Sequence, residues 1–300
     1  FFYLMIVANK QLDKVRWDER VLVEQPEGFF FLLSWYLDAV FPAWEGYVVG
    51  DYEGIYPIVP QQKVGVNYTH MPFLTRSFIP VGFNEQTLTE LRTYLSKRFS
   101  YLQLAGLALL QPVEKQTRRY QVLDLTDFSL SQCSENHRRQ YKKATQQGFA
   151  MDTSLNPEAL ISLFRRIKGA EFTHLKDADY QTLSDLMQTA SRGGVLRQFS
   201  LWEKDILVGA AAYLEVNGQV LYLKGAITPE AMKVGGMVYL HVEAMKTLVP
   251  GCSQLDFGGS NAKGLGDFNR KFGARDVEYL LLIKNSLAKP LAWLAKRKFG

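Results

Sequence analysis

An α+β fold in two successive units, each a mixed sheet flanked by helices, is what the sequence predicts. Helix and strand patterns interchange along 300 residues, a length that suits one large domain or two of ordinary size. The order helix, hairpin, strand, helix, strand runs through a first unit of roughly 120 residues and then begins again. Each half also holds a strand, an acid-bearing turn and a second strand, at residues 47–59 and 201–213, although the two stretches share almost no sequence. The repeat is one of architecture.

Residues 1–8 are apolar but too short to cross a bilayer, and no cleavage-site pattern follows them. Residues 13–23 read as an edge element leading into Pro26-Glu27-Gly28. Residues 29–41, an apolar run interrupted by Ser34 and Asp38, read as a buried helix closed by Pro42. Strands follow at 44–49 and 55–61, joined across Gly50-Asp51-Tyr52-Glu53-Gly54, and another at 65–71 before Pro72. An amphipathic helix at 85–97 and strands at 101–110 and 119–125 complete the first unit, bounded at 1–130.

The second unit, 131–300, opens on a polar helix over 131–147 that ends at Gly148. A short strand at 149–152, a helix at 157–171 with Pro157 in its first turn and a helix at 178–191 stopped by Gly193-Gly194 come next. Strands at 195–203 and 206–216 hinge at Lys204-Asp205, and Asn217-Gly218 is a strong hairpin turn into 219–226. Gly235-Gly236 opens a helix on which Val238, Leu240, Val242, Met245 and Leu248 recur, until Pro250-Gly251 stops it. A strand at 253–257 ends in Gly258-Gly259-Ser260-Asn261, and a second glycine loop runs into a basic-aromatic tail. A strand at 276–284 and a terminal helix at 287–298 close the chain.

Composition, 47% hydrophobic and 22% charged, is that of a globular protein and argues against extensive disorder. A net charge of +5 permits an anionic ligand such as a nucleotide, a tRNA or a phosphorylated glycan precursor without requiring one. Cys133 and Cys252 form no CxxC motif and no disulfide framework, which suits a reducing compartment, so a cytoplasmic protein without a membrane span is expected.

Several motifs are excluded. Residues 259–264 have the glycine spacing of a phosphate loop, but Leu265-Gly266 stands where Lys and Ser/Thr are needed. Neither a GxGxxG after a strand nor a GxSxG elbow occurs. His70, His137, His174 and His241 have no metal-ligand spacing and read as packing or surface residues, so no metal is expected. Cys252 with His241 is weak ground for a nucleophile and base.

What remains is a glycine pair opening a helix, which brings backbone N–H groups to an anion, followed by a strand ending at an acid. His137, Arg138, Arg139, Lys142 and Lys143 add a basic face at helical spacing. That face is either solvated or a cradle for phosphates, in which Arg139, Lys142 and Lys143, with Asn261 from the later turn, are candidate substrate or phosphate contacts.

The order of these motifs, LDFGGSN after a glycine-opened helix and then GLGDFNRKFGA, resembles the tandem GNAT-fold proteins, and in particular the FemABX-like acyltransferases. ENHRRQYKKATQQGF is similar to the basic helix that opens the second GNAT unit in that group, and WYLDAVFPAWEGYVVGDYEGIYPIVPQQK resembles the first half of a bacterial branch of it. The resemblance implies two GNAT-like units, the first degenerate and the second carrying the donor site. It implies transfer of an acetyl or aminoacyl group from a coenzyme A thioester or an aminoacyl-tRNA to an amine, borne by a small molecule or a cell-envelope precursor. Lys233, Gly235, Gly236 and Met237 fall on the family's pyrophosphate loop, although the glycines here stand adjacent, a departure that leans toward aminoacyl-tRNA. Many members read Phe-Lys where this chain has Phe268-Asn269, so Arg270 or Lys271 must supply the positive charge, or the activity is altered.

Acyl transfer to an amine needs a neutral nucleophile, donors for an oxyanion and a proton for the leaving group. Asp256 is the candidate base or amine-orienter and Tyr239 the candidate acid, while Asp256 is equally placed to cap the Gly258-Gly259 turn. Two other readings stand beside this one. One is a tandem-GNAT binding module that keeps an anion-binding groove without turnover; the other is an RNA-binding protein using helix 131–147.

Overall fold

The computed structural model describes residues 4–109, 113–173, 175–259 and 264–287. In chain order the elements begin with β1 (Leu4–Ala8), α1 (Lys14–Glu24) and α2 (Ser34–Val40), then β2 (Glu45–Val49), β3 (Gly54–Ile58), β4 (Gln61–Lys63) and β5 (Val66–His70). They continue with α3 (Glu85–Arg98), β6 (Tyr101–Ala105), β7 (Glu114–Asp124), α4 (Glu135–Thr145), β8 (Ala150–Asp152), α5 (Pro157–Lys168) and α6 (Asp177–Arg192). The remainder are β9 (Leu196–Glu203), β10 (Ile206–Val216), β11 (Gln219–Ile227), α7 (Pro229–Lys233), α8 (Gly236–Leu248), β12 (Gln254–Gly259), α9 (Leu265–Arg270) and β13 (Arg275–Asn285).

The chain forms two compact units, one of residues 1–118 with 279–300 and the other of 119–278. These bounds differ from the expected 1–130 and 131–300 because two strands pair far along the chain. Residues 120–124 of β7 pair with β12, and residues 281–285 of β13 pair with β6. Pairing at such separations leaves no local mark in the sequence.

In the first unit β1, β2 and β3 form an antiparallel sheet. The β4–β5 hairpin joins β6 through a parallel β5–β6 pair. Residues 13–23, read above as an edge element, are helical. Asp13 caps the helix by accepting the Arg16 N–H, and Trp17 and Val21, four apart, are the residues it buries. The near-alternation of Val15, Trp17, Val21 and Val23 imitates a strand, but Val15 and Val23 lie exposed. The helix expected over 29–41 is broken at Leu33, which is extended, between a 3-10 turn at Phe29–Leu32 and α2. Asp18 of α1 fixes that break: its carboxylate accepts the Ser34 N–H at 2.6 Å and the Ser34 hydroxyl at 2.8 Å, capping α2 from another helix. The helix expected at 85–97 is present as α3, opened by an Asn84–Thr87 capping box.

In the second unit the order is β7-β12-β11-β10-β9-β8, antiparallel except for β11 and β12. The expected hairpin is made by Asn217 and Gly218, both at positive φ, as a two-residue turn between β10 and β11 requires. α4 and α8 pack together over one face, where Ala211 and Tyr213 of β10 join Val238, Leu240, Val242 and Met245 of α8 in a core. That core contains no residue of α5 or α6, which pack against β9, β10 and β11 on the opposite face. The glycine loop and basic-aromatic tail at 258–271 contain a helix the sequence reading did not anticipate, α9, started at Gly264 with φ +91. The terminal helix expected at 287–298 falls almost entirely outside the described residues, as do Asn261 and His174.

Candidate functional site

β11 and β12 are parallel neighbours at only three pairs, Gln219↔Gln254, Val220↔Leu255 and Leu221↔Asp256. Past them β11 keeps to β10 and β12 keeps to β7, so the two strands part and a wedge opens through the sheet. Local features on both sides produce the divergence. In β11 the register against β10 steps from Tyr213↔Tyr222 to Ala212↔Lys224, leaving Leu223 as a bulge that bends the strand. In β12 Gly258 adopts φ +72, and a Cβ there would lie 3.2 Å from the Tyr222 carbonyl oxygen. Strands that separate this way turn main-chain donors and acceptors into the gap, where a ligand's amides can complete the ladder.

The N-terminus of α8 stands at the far end of β11. Gly235 is its N-cap at φ +87, and a Cβ there would lie 2.3 Å from the Gln140 carbonyl of α4. A Cβ on Gly236 would lie 2.8 Å from the Ala231 carbonyl and from Ile227 Cδ1. The adjacency of the two glycines, a departure from the family loop, therefore has a packing cause: one admits α4 and the other admits α7. First-turn N–H groups of a helix have no partner within it, so this end is suited to an anion. The Lys143 ammonium donates to the Lys233 carbonyl at 3.1 Å, bringing one cation of the basic face to the loop, and Lys233 is exposed beside it. Lys142 is exposed, and Arg139 is exposed in an ion pair with Glu135 at 3.6 Å. Met237 packs partly against the α8 core.

The residues expected to carry the chemistry are placed as follows. Asp256 is buried and accepts the Gly258 N–H at 2.8 Å, the geometry of a turn cap. Tyr239 stacks on Tyr141 in the seam between α4 and α8, rings 5.5 Å apart, and burial raises its phenol above the usual range. Arg270 pairs with Asp276 at 2.9 Å and with Asp267, which raises its guanidinium further. Lys271 is exposed, and its carbonyl accepts the Ser134 N–H at 2.8 Å. Asn269, at the family's lysine position, is buried and donates to Gln121 at 3.0 Å; Gln121 donates to Asp276 at 2.8 Å. Asn269 and Arg270 thus meet through Gln121 and Asp276, on the α9–β13 side of the unit.

Sequence reasoning placed two histidines as ordinary packing residues and missed how they are grouped. His241 of α8 shares its Nδ1 with the Tyr213 hydroxyl at 2.8 Å, among the rings of Tyr222, Phe257, Phe268 and Phe272. His137 of α4 donates from Nε2 to the Phe268 carbonyl at 3.1 Å, and its Nδ1 is buried with no hydrogen-bond partner. Burial holds both imidazoles neutral, at about 4 for His137 and about 3 for His241. These rings fill the α8 side of the sheet where β11 and β12 part, since Tyr222 and Phe257 are the first residues past the last pair. Cys252 is buried, its thiol pushed up to about 11, and His241 is engaged with Tyr213, so the two do not form a nucleophile and base. Among the described residues no cluster of three or more His, Cys, Asp or Glu side chains has metal-binding geometry. Among them, too, no helix is long and apolar enough to cross a membrane.

Residues 131–269 match the acetyltransferase (GNAT) domain family. Solved structures extend the likeness over the whole chain. FemX is similar at a TM-score of 0.64 and 13% identity, covering 97% of this chain and 99% of its own. A tandem GNAT protein from the clavulanic acid biosynthesis pathway follows at 0.58 and 10% identity, covering 94% and 98%. L-PGS from Bacillus licheniformis has 0.55 and 14%, covering 93% and 96%. No match occurs among curated proteins. The fold is the tandem GNAT fold that the sequence resemblance implied.

Proposed function

We propose that the chain is an N-acyltransferase whose second unit takes an acyl group from a coenzyme A thioester or an aminoacyl-tRNA and passes it to an amine. The observation that carries this reading is the three-pair contact of β11 and β12, parting toward a helix opened by two glycines. A wedge with free strand edges holds an extended, amide-bearing arm, and the α8 N-terminus with Lys143 and Lys233 holds the phosphates at its end. Gly235 and Gly236 let α4 and α7 pack against the start of α8 and so fix where its first-turn N–H groups stand, which suits a pyrophosphate-bearing donor at this end.

A bound thioester or ester supplies an acyl carbon open to attack. The chain's part is to hold the phosphates at α8, align the arm along β11, and present N–H groups at the splayed strand ends to the developing oxyanion. Asp256, held by the Gly258 N–H, orients the turn that ends β12 and keeps the wedge open. Tyr239 and the pair Arg270 and Lys271 stay as candidates for the acid and for the oxyanion or tRNA contact. The likeness to FemX and L-PGS supports an amine acceptor on a cell-envelope or lipid precursor. The free, buried Cys133 and Cys252 support a reducing, cytoplasmic setting.

A second reading, a binding module without turnover, is favoured by the engagement of Asp256 in its turn and of Arg270 in two ion pairs. Thermal-shift titration with coenzyme A, acetyl-coenzyme A and bulk tRNA separates the cases when paired with an amine-acylation assay. A donor at about a hundred times its dissociation constant adds roughly 2.7 kcal/mol. Stabilisation with turnover supports the enzyme, and stabilisation without turnover on any amine supports the module. No shift with any of the three probes removes both.

A further inference from the structure

Two positions three apart on β11 face the same way. In a regular strand residues 222 and 225 would point to opposite sides of the sheet, but the bulge at Leu223 adds one residue between them. Tyr222 therefore pairs with Tyr213 and Gly225 with Ala211, and both partners belong to the α8 core. The Tyr222 ring is held by its neighbours, its centre 5.4 Å from that of Tyr213 and 5.0 Å from that of His241. Its hydroxyl runs along the strand and lies over Gly225, where an added Cβ would stand 2.5 Å from the oxygen. A glycine inside a strand weakens it and marks a place of close approach. Here the approaching atom is the phenol oxygen.

Packing alone does not require that oxygen. Tyr222 is half-buried, burial is the one cause that raises its phenol, and among the described residues the hydroxyl has no hydrogen-bond partner. Tyr213 beside it is fully buried, and its hydroxyl is bonded to His241 at 2.8 Å. A phenol kept in such a place without a protein partner costs stability unless water or a ligand meets it. Its position says which ligand. Tyr222 is the first β11 residue past the last pair with β12, so its side chain stands beside the gap. Two residues beyond Gly225 and on the same face, Ile227 reaches the α8 mouth, where a Cβ on Gly236 would lie 2.8 Å from its Cδ1. At about 3.3 Å per residue, roughly 7 Å of strand separates Gly225 from that mouth. The hydroxyl thus stands midway along an arm whose phosphates lie at α8.

We infer that the Tyr222 hydroxyl is a binding contact for the donor, hydrogen-bonding an amide carbonyl in the arm of a coenzyme A thioester, and that Gly225 is the notch that lets it lie along β11. This rests on the transfer reading above and narrows its donor. The phenol keeps its proton at ordinary pH, so it is there to donate. An aminoacyl ester at the end of an RNA has no amide between its last phosphate and its acyl carbon. The contact therefore discriminates between the two donors.

The test uses the whole protein and two probes, coenzyme A and adenosine 3′,5′-bisphosphate, which keeps phosphates but lacks the arm. Tyr222→Phe removes one oxygen. It should keep its melting temperature, bind coenzyme A about five- to tenfold more weakly and bind the bisphosphate as the wild type does, read by calorimetric titration. Unchanged affinity for coenzyme A overturns the inference, and so does an equal loss on both probes, which would put the effect at the phosphates. Gly225→Ala, whose methyl displaces the hydroxyl, should weaken coenzyme A alike and add little to Tyr222→Phe in the double variant. Additive losses would defeat the notch. A wild-type protein that binds bulk tRNA but not coenzyme A keeps the transfer reading and overturns this inference, whereas one that binds none of these probes removes both.

Discussion

Gly235 faces the backbone of Gln140 so closely that a single added methyl would sit 2.3 Å from the carbonyl oxygen. The contact joins α4 to the mouth of α8 and explains why a glycine stands there at φ +87. Gly235→Ala should lower unfolding free energy by about 2 kcal/mol or more, from the left-handed conformation and from the displaced helix together. Urea denaturation reads the change. A loss within about 0.5 kcal/mol would mean that α4 yields freely at this point.

At the same mouth, Lys233→Glu changes charge without touching the core, since Lys233 is exposed. The variant should keep its melting temperature and lose affinity for coenzyme A by about tenfold, the effect of roughly 1.4 kcal/mol. Calorimetric titration gives the number. Unchanged affinity would move the phosphates away from α8.

The Asp18 carboxylate caps α2 through Ser34. Asp18→Ala should cost about 1 to 2 kcal/mol, and Ser34→Ala less, since it removes only the hydroxyl bond. Equal losses in chemical denaturation would show that the backbone N–H bond contributes little.

Stability should fall as the solution becomes acidic. His137 and His241 have folded values of about 4 and about 3, below the ordinary 6.5, because burial penalises the imidazolium. The unfolded chain therefore binds more protons between those limits. The stabilisation is full above pH 6.5 and is lost as pH falls toward the folded values, at up to about 1.4 kcal/mol per pH unit for each histidine. Urea midpoints at about pH 7 and about pH 5 test this, and equal midpoints would mean that the imidazoles are protonated without unfolding.

Much of this was written locally. The Asn217-Gly218 turn, the periodicity of α8 and the Asn84–Thr87 box are each set by residues within a few positions. The glycine pair was legible as a helix opening. The reason the glycines are adjacent was not, because it lies in Gln140, almost a hundred positions earlier, and in Ala231. α1 was misread because Val15 and Val23 are exposed apolar residues that counterfeit a strand. Asp256 was legible as a residue at a strand end, and its bond to Gly258 is what the turn reading required.

The discontinuity of the first unit bears on how the chain is made. β6 takes β5 as a parallel neighbour from just upstream, but its antiparallel neighbour is β13, supplied only after the whole of residues 119–278 has been synthesised. Until then one side of β6 is an exposed strand edge, carrying Leu102 and Leu104, which are buried in the finished protein. A chain that stops between residues 278 and 281 would thus hold every residue of the second unit and still be exposed to edge-to-edge aggregation through the first.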